Sequence, residues 1–162
     1  AQNTQALIDF TLELSERMQK WRPQLRTARN MFALPILQPN AEAWTAQSLP
    51  AFIKAYDMTA VMAMPQLDQQ SDRLGWYKHL AAQVATIPNG FERTLFEFAT
   101  QNWRTHAPID DRDMALRMRT MQAAGAWHIG YYPDDFLHDH PDLETIRPYI
   151  SASDYPYAEP TR

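Results

Sequence analysis

Three histidines and four aspartates fall within the sixteen residues from Trp127 to Asp142, WHIGYYPDDFLHDHPD, a density that raises the question of a metal centre. Metal ligands must converge, as histidines four apart on a helix or alternating along a strand with a distant third ligand. His138 and His140 instead follow a Tyr-Tyr-Pro turn and precede Pro141, which places them in a loop. No metal is expected there, and Asp134 with its neighbours reads as a negative rim suited to a cationic ligand. The absence of cysteine removes thiolate ligands, disulfides and a cysteine nucleophile from consideration.

A second set of residues suits carbohydrate better than metal. Trp44 and Trp103 each occupy a polar stretch, AEAWTAQ and TQNWRT, soon after an apolar run. Aromatic faces in such places can carry the apolar C–H face of a sugar ring, although each indole could equally anchor a loop. Glu97 interrupts the apolar run RTLFEFAT between Phe96 and Phe98. A carboxylate in that setting is costly unless paired, and Arg29 is the expected partner, with hydrogen bonding to a ligand as the alternative. Glycoside hydrolysis asks for two facing carboxylates. Glu97 could be matched with Asp134, whereas Asp57 precedes its strand and belongs at the opposite end of the sheet.

These side chains are positioned by an alternation of helices and strands. Leu7, Phe10, Leu14, Met18 and Trp21 recur at steps of three and four, predicting a helix over residues 4–21. A strand is expected over residues 25–33, after which Pro35 and Pro39 predict a loop. A helix beginning near Ser48 should bury Leu49, Phe52, Ile53 and Tyr56. MTAVMAMP is apolar almost throughout, the mark of a strand covered on both faces in a parallel sheet. Leu74, Tyr77, Leu80, Ala81 and Val84 mark the next helix, and residues 93–100 the next strand. Asp110 or Asp111 caps a fourth helix lined by Met114, Met118 and Met121 and stopped by Gly125, and AWHIGYY is the last strand. The tail from Ser151 reads as a terminus lying on the surface.

The predicted fold is therefore α/β with about four parallel βα units, either a doubly wound sheet or half of a (β/α)-barrel. Four glycines and no GxGxxG or P-loop argue against a nucleotide site. The chain has 162 residues, 45 % of them apolar, enough for one folded domain. Its net charge of −4 disfavours nucleic acid as a partner. In both architectures ligands meet the carboxyl ends of the strands. That rule selects Arg29, Asn30, Trp44, Glu97, Trp103, Tyr132 and Asp134 as candidate binding residues.

At these residues the chain resembles the C-terminal domain of the poly-β-1,6-N-acetyl-D-glucosamine N-deacetylases of the PgaB/HmsF type from Gram-negative biofilm systems. The segments that carry the resemblance are FTLELSERM, TARNMFALPILQP, EAWTAQ, YDMTAVMAMP, TQNWR, GYYPDDFLHDHPDLETIRP and the closing YPY, in order over nearly all of residues 1–162. The resemblance implies an exported, periplasmic and outer-membrane-associated lipoprotein. Such a protein has a metal-dependent deacetylase domain followed by a (β/α)-barrel that binds and cleaves the partly deacetylated polymer. This chain would correspond to the second half of that barrel. Tryptophans matching Trp44 and Trp103 line the sugar groove of such proteins. Their acidic His-Asp-Asp motif lies upstream of anything present here, so the chain is expected to carry the groove without the catalytic acid and to need no cofactor of its own. The implied partners are the poly-β-1,6-glucosamine/N-acetylglucosamine polymer, the N-terminal part of the same protein and an outer-membrane export porin. Two rivals remain from the residues alone: a non-catalytic interaction module whose open sheet docks a partner chain, and a metal-dependent hydrolase built on the histidine-rich loop.

Overall fold

The structure is a computed structural model that describes residues 2–68 and 71–150. The expected tail from Ser151 and the YPY segment lie outside the described residues. Helix α1 (Gln2–Gln19) leads into strand β1 (Ala28–Phe32), followed by the short helices α2 (Leu34–Leu37) and α3 (Glu42–Thr45) and by α4 (Leu49–Ala55). Strand β2 (Met58–Met62), α5 (Arg73–Ala85), β3 (Thr94–Ala99), α6 (Asp111–Ala123), β4 (His128–Tyr132) and α7 (Leu143–Ile146) complete the order. The strands form one parallel sheet in the sequence β1-β2-β3-β4. Four successive parallel strands with intervening helices make a partial (β/α)-barrel.

Side chains alternate across a strand, and here the alternation divides the sheet cleanly. Met31, Val61, Phe96 and Ile129 are level with one another in the register and all point to the face covered by helices. There they meet Phe52 and Ile53 of α4, Tyr77, Leu80 and Val84 of α5, and Met114, Met118 and Met121 of α6. The opposite, concave face carries Asn30, Phe32, Ala60, Met62, Leu95, Glu97, Gly130 and Tyr132.

The helix ends follow local chemistry. Asp110 caps α6 by accepting from the Asp113 amide at 3.1 Å, and Asp72 caps α5 through the Gly75 amide at 2.9 Å. At the other end of α6, Gly125 has φ +107°. The Ala126 amide bonds the Met121 carbonyl, five residues back, at 3.0 Å, and the Gly125 amide bonds Gln122 at 2.9 Å, which closes the helix. A side chain at Gly125 would be strained by that φ and would press on the Phe91 ring. At the amino end of the sheet, Asp57 Oδ2 accepts from the Thr27 amide at 2.6 Å and its hydroxyl at 3.0 Å. Those bonds hold the Asp57 carboxyl below its ordinary pKa, the backbone bond most strongly, and make it a structural clasp at the amino end of the sheet.

Three expectations need correction. Pro35 and Pro39 do not confine the chain to a loop: Pro35 opens α2 and Pro39 opens a 3-10 turn, because proline's fixed φ suits the first turn of a helix. Strand β1 starts at Ala28 rather than Leu25. The stripe read on α1 is not the packed face either. Phe10, Leu14, Met18 and Trp21 are 49–84 % exposed, while Thr4 and Ile8 are buried and Leu7 and Leu12 pack against the core. The hydroxyl of Thr11 bonds Tyr56 across that contact at 2.5 Å, so the inward face of α1 is partly polar and its apolar stripe looks outward.

Candidate functional site

The carboxyl ends of the strands bring Phe32, Met62, Glu97 and Gly130 into one row of the register, with Ala99 and Tyr132 paired two residues further along. The row floors a pocket of about 330 Å³ lined by Asn30, Phe32, Met62, Leu67, Glu97, Trp103 and Tyr132. A second depression of about 370 Å³, lined by Gln66, Leu67, Asn102, Trp103 and Arg104, adjoins it. Leu67 and Trp103 border both, so the two form one groove across the sheet end. Its apolar walls with a few polar groups have the composition of a small-molecule site.

Trp103 is set by a tightly closed loop. After β3, Gln101 bridges to Pro108, the Asn102 amide bonds the Ala107 carbonyl at 2.9 Å, and the Ile109 amide bonds the Thr100 carbonyl at 2.7 Å. The side-chain oxygen of Asn102 accepts from the Arg104 amide at 2.9 Å. The indole stacks on Tyr132 with ring centroids 5.6 Å apart and planes at 23°, and its N–H donates to the Met64 sulfur at 3.4 Å. Trp103 is thus a fixed aromatic wall whose orientation is set before any ligand arrives.

Glu97 stands on the pocket floor between Met62 and Gly130. Its carboxyl makes no ion pair or hydrogen bond among the described residues, and loss of solvent raises its pKa above the ordinary value. The expected Arg29–Glu97 pair does not form. Arg29 lies one residue before Asn30, so its side chain leaves the strand on the face of Met31, and its Nε is buried without a hydrogen-bond partner. Asn30 is the member of that dipeptide that lines the pocket.

Trp44 lies on α3, at the same carboxyl end of the sheet, with 71 % of its surface exposed. The Gln47 side chain ties this segment to β1 by accepting from the Phe32 amide at 2.8 Å. Trp44 is outside the lining of the Glu97 pocket. Asp134 is exposed beside Tyr131, whose phenol is pushed up first by burial and then by the Asp134 charge. The structure therefore brings Asn30, Glu97, Trp103 and Tyr132 together, holds Trp44 at the same end, and leaves Arg29 and Asp134 outside the pocket. Phe32, Met62 and Leu67 were not singled out from the sequence; two-residue alternation from Asn30 and Glu97 was the signal for the first two.

The histidine-rich loop builds a separate cleft of about 540 Å³. The His140 Nε2 donates to the Thr100 carbonyl at 2.8 Å, its Nδ1 is 3.4 Å from an Asp111 oxygen, and His138 Nδ1 is 2.8 Å from Asp135. Bonding to His138 lowers the pKa of Asp135. No group of three or more histidine, aspartate or glutamate side chains among the described residues could hold a metal. Of the aspartates expected to form a rim around the ligand, Asp135 and Asp139 line this second cleft, Asp134 lies outside both, and Glu97 is the carboxylate of the tryptophan pocket.

A partial (β/α)-barrel with an aromatic-walled groove at the carboxyl ends of its strands belongs to the architectural class of the barrel glycosidases. The sequence pattern of hypothetical glycosyl hydrolase family 13 matches residues 1–132, and the chain belongs to that family. It is 43 % identical over 159 residues to the poly-beta-1,6-N-acetyl-D-glucosamine N-deacetylases of Escherichia coli strains K12 and O157:H7, covering 94 % of this chain and 24 % of theirs. The chain thus spans about a quarter of the length of those relatives. The glycoside hydrolase domain of PgaB (BpsB) from Bordetella bronchiseptica has the same fold, with a TM-score of 0.89 at 39 % identity over 94 % of this chain and 43 % of that one.

Proposed function

We propose that this chain supplies the polymer-binding groove of an enzyme that processes partly deacetylated poly-β-1,6-N-acetyl-D-glucosamine. The observation that carries the proposal is the Trp103–Tyr132 stack lining one pocket with Glu97 and Asn30 at the carboxyl end of a parallel sheet. The kinship to an N-deacetylase and to a glycoside hydrolase domain supplies the substrate class. In this proposal the rings of Trp103 and Tyr132 take the apolar face of a sugar, Asn30 and Glu97 meet its polar substituents, and Trp44 contacts a more distant unit. Arg29 and Asp134, outside the pocket, serve the sheet's packed face and the outer rim. The catalytic acid and any deacetylase metal are assigned to other parts of the full-length protein, which acts in the periplasm at the outer membrane beside an export porin. Titrating the protein with β-1,6-linked glucosamine oligomers while following tryptophan emission tests the groove. A saturable change is expected, and unchanged emission together with no heat of binding would refute the proposal.

A second reading complements the first. Phe10, Leu14 and Met18 face outward from α1, with exposed Trp21 just beyond its end, and the concave face exposes Phe32 of β1, an edge strand among the described residues. Apolar surface of this kind beside an open sheet edge is a docking surface. We assign it to the complementary half of the barrel. Amides of α1 and β1 are then expected to exchange hydrogen more slowly in the full-length protein than in residues 1–162 alone. Equal exchange would dismiss this partner.

A further inference from the structure

Glu97 presents a problem that its neighbours do not solve. It is half-buried in an apolar floor, and no described side chain or backbone group neutralises it. An unpaired carboxylate in such a place destabilises the fold, and a native structure keeps one where a ligand completes it. Access is built in as well. The residue level with Glu97 on β4 is Gly130, and a Cβ there would meet only the Leu95 side chain, at 3.3 Å. The absence of a side chain at Gly130 leaves the carboxyl open from the β4 side, in the pocket that Trp103 and Tyr132 also line.

We infer that Glu97 is the specificity-determining group of the groove, pairing with the ammonium of a glucosamine unit and so selecting free amines over acetamides. The inference rests on the groove reading above and adds to it the atom that reads the substituent. A protonated amine returns to Glu97 the charge partner that the fold withholds, in a charge-assisted hydrogen bond. An N-acetyl group brings no charge and leaves the carboxylate unpaired. The rim aspartates do not take this role: Asp135 is bonded to His138 and lines the neighbouring cleft, and Asp134 lies outside the pocket. A proton-transfer role is less well supported: a glycosidase pair requires two carboxylates, and among the described residues Glu97 alone lines this pocket.

The test compares full-length wild-type protein with Glu97→Gln and Glu97→Asp, measuring affinity for fully deacetylated and fully N-acetylated β-1,6 oligomers of equal length. Wild type is expected to favour the amine form by about tenfold or more, the scale of one charge-assisted bond. Glu97→Gln should erase that preference by lowering affinity for the deacetylated oligomers, and Glu97→Asp should restore part of it. The wild-type preference should also fade as pH falls through the raised pKa of Glu97, because the carboxyl is then neutral. Tyr132 is the other titratable group lining the pocket among the described residues. Glu97→Gln removes a half-buried charge without changing shape, so it should fold. If the amine preference survives in Glu97→Gln, the inference fails while the groove stands. If neither oligomer binds wild type, the groove proposal and the inference fall together.

Discussion

Phe98→Ala is expected to lower the stability of the fold by about 3–5 kcal/mol, the range for removing a buried phenylalanine. Phe98 is 1 % exposed, on the helix-facing side of β3, and its ring stacks on Tyr77 of α5 at 5.3 Å with planes at 29°. Tyr77 is held in turn by its hydroxyl, which donates to the Ala63 carbonyl at 3.1 Å beyond the end of β2. Losing the Phe98 ring therefore opens a cavity and also loosens the link between α5 and β2. A domain of this size has about 5–15 kcal/mol in all, so about a fifth or more of the total would be lost. Urea unfolding measures it directly. Phe136→Ala is the control: Phe136 is 81 % exposed, and its removal should change stability by less than about 0.5 kcal/mol. Equal effects for the two variants would mean that the helix-facing side of the sheet is not the core.

What the sequence disclosed, and what it hid, divides along physical lines. The strands were legible because β2 reads as an apolar run, and β3 as one broken only at Glu97, on the face that opens to the groove. Helix α6 was legible from three methionines at steps of four and three, all fully buried, with Asp110 before it and Gly125 after it. Helices α2 and α3 were hidden because each is a single turn, too short for any periodicity, and opens near prolines that read equally well as loop. On α1 the periodicity was real, but period alone does not say which partner a stripe meets. The inward face uses Thr4, Thr11 and Ile8 instead.

The site was legible at the level of place more than of orientation. The strand-end rule located Asn30, Glu97, Trp103 and Tyr132, which the fold does bring together. Arg29 was misplaced because a single step along a strand reverses the face, and a dipeptide written as a unit ignores that reversal. Its guanidinium cannot reach Glu97 from the packed side, and this geometry is what leaves the carboxyl open to a ligand. Tyr132 could be placed at the end of a strand from sequence, yet its stack on Trp103 joins residues from two different strand ends. Only the tertiary fold shows it. The histidine and aspartate density was equally visible and equally ambiguous, since its meaning depends on which cleft the loop faces.

Trp103→Ala is expected to weaken oligomer binding about 30-fold or more, because truncating a central aromatic anchor removes about 2 kcal/mol or more. The indole borders both halves of the groove and holds Tyr132 in place by stacking, so its loss takes away one platform and frees the second. Trp103→Phe keeps a ring for stacking but gives up the N–H bond to the Met64 sulfur, and it should recover most of the affinity. Trp44→Ala should cost less than about fivefold, as expected for an exposed contact away from the desolvated centre of a site. Calorimetry on the three variants orders them without relying on the emission of the residue removed. An order with Trp44 ahead of Trp103 would move the centre of the groove towards β1. Wild-type affinity in Trp103→Ala would mean that the ring only anchors its loop, and the carbohydrate site would have to be sought elsewhere on the sheet.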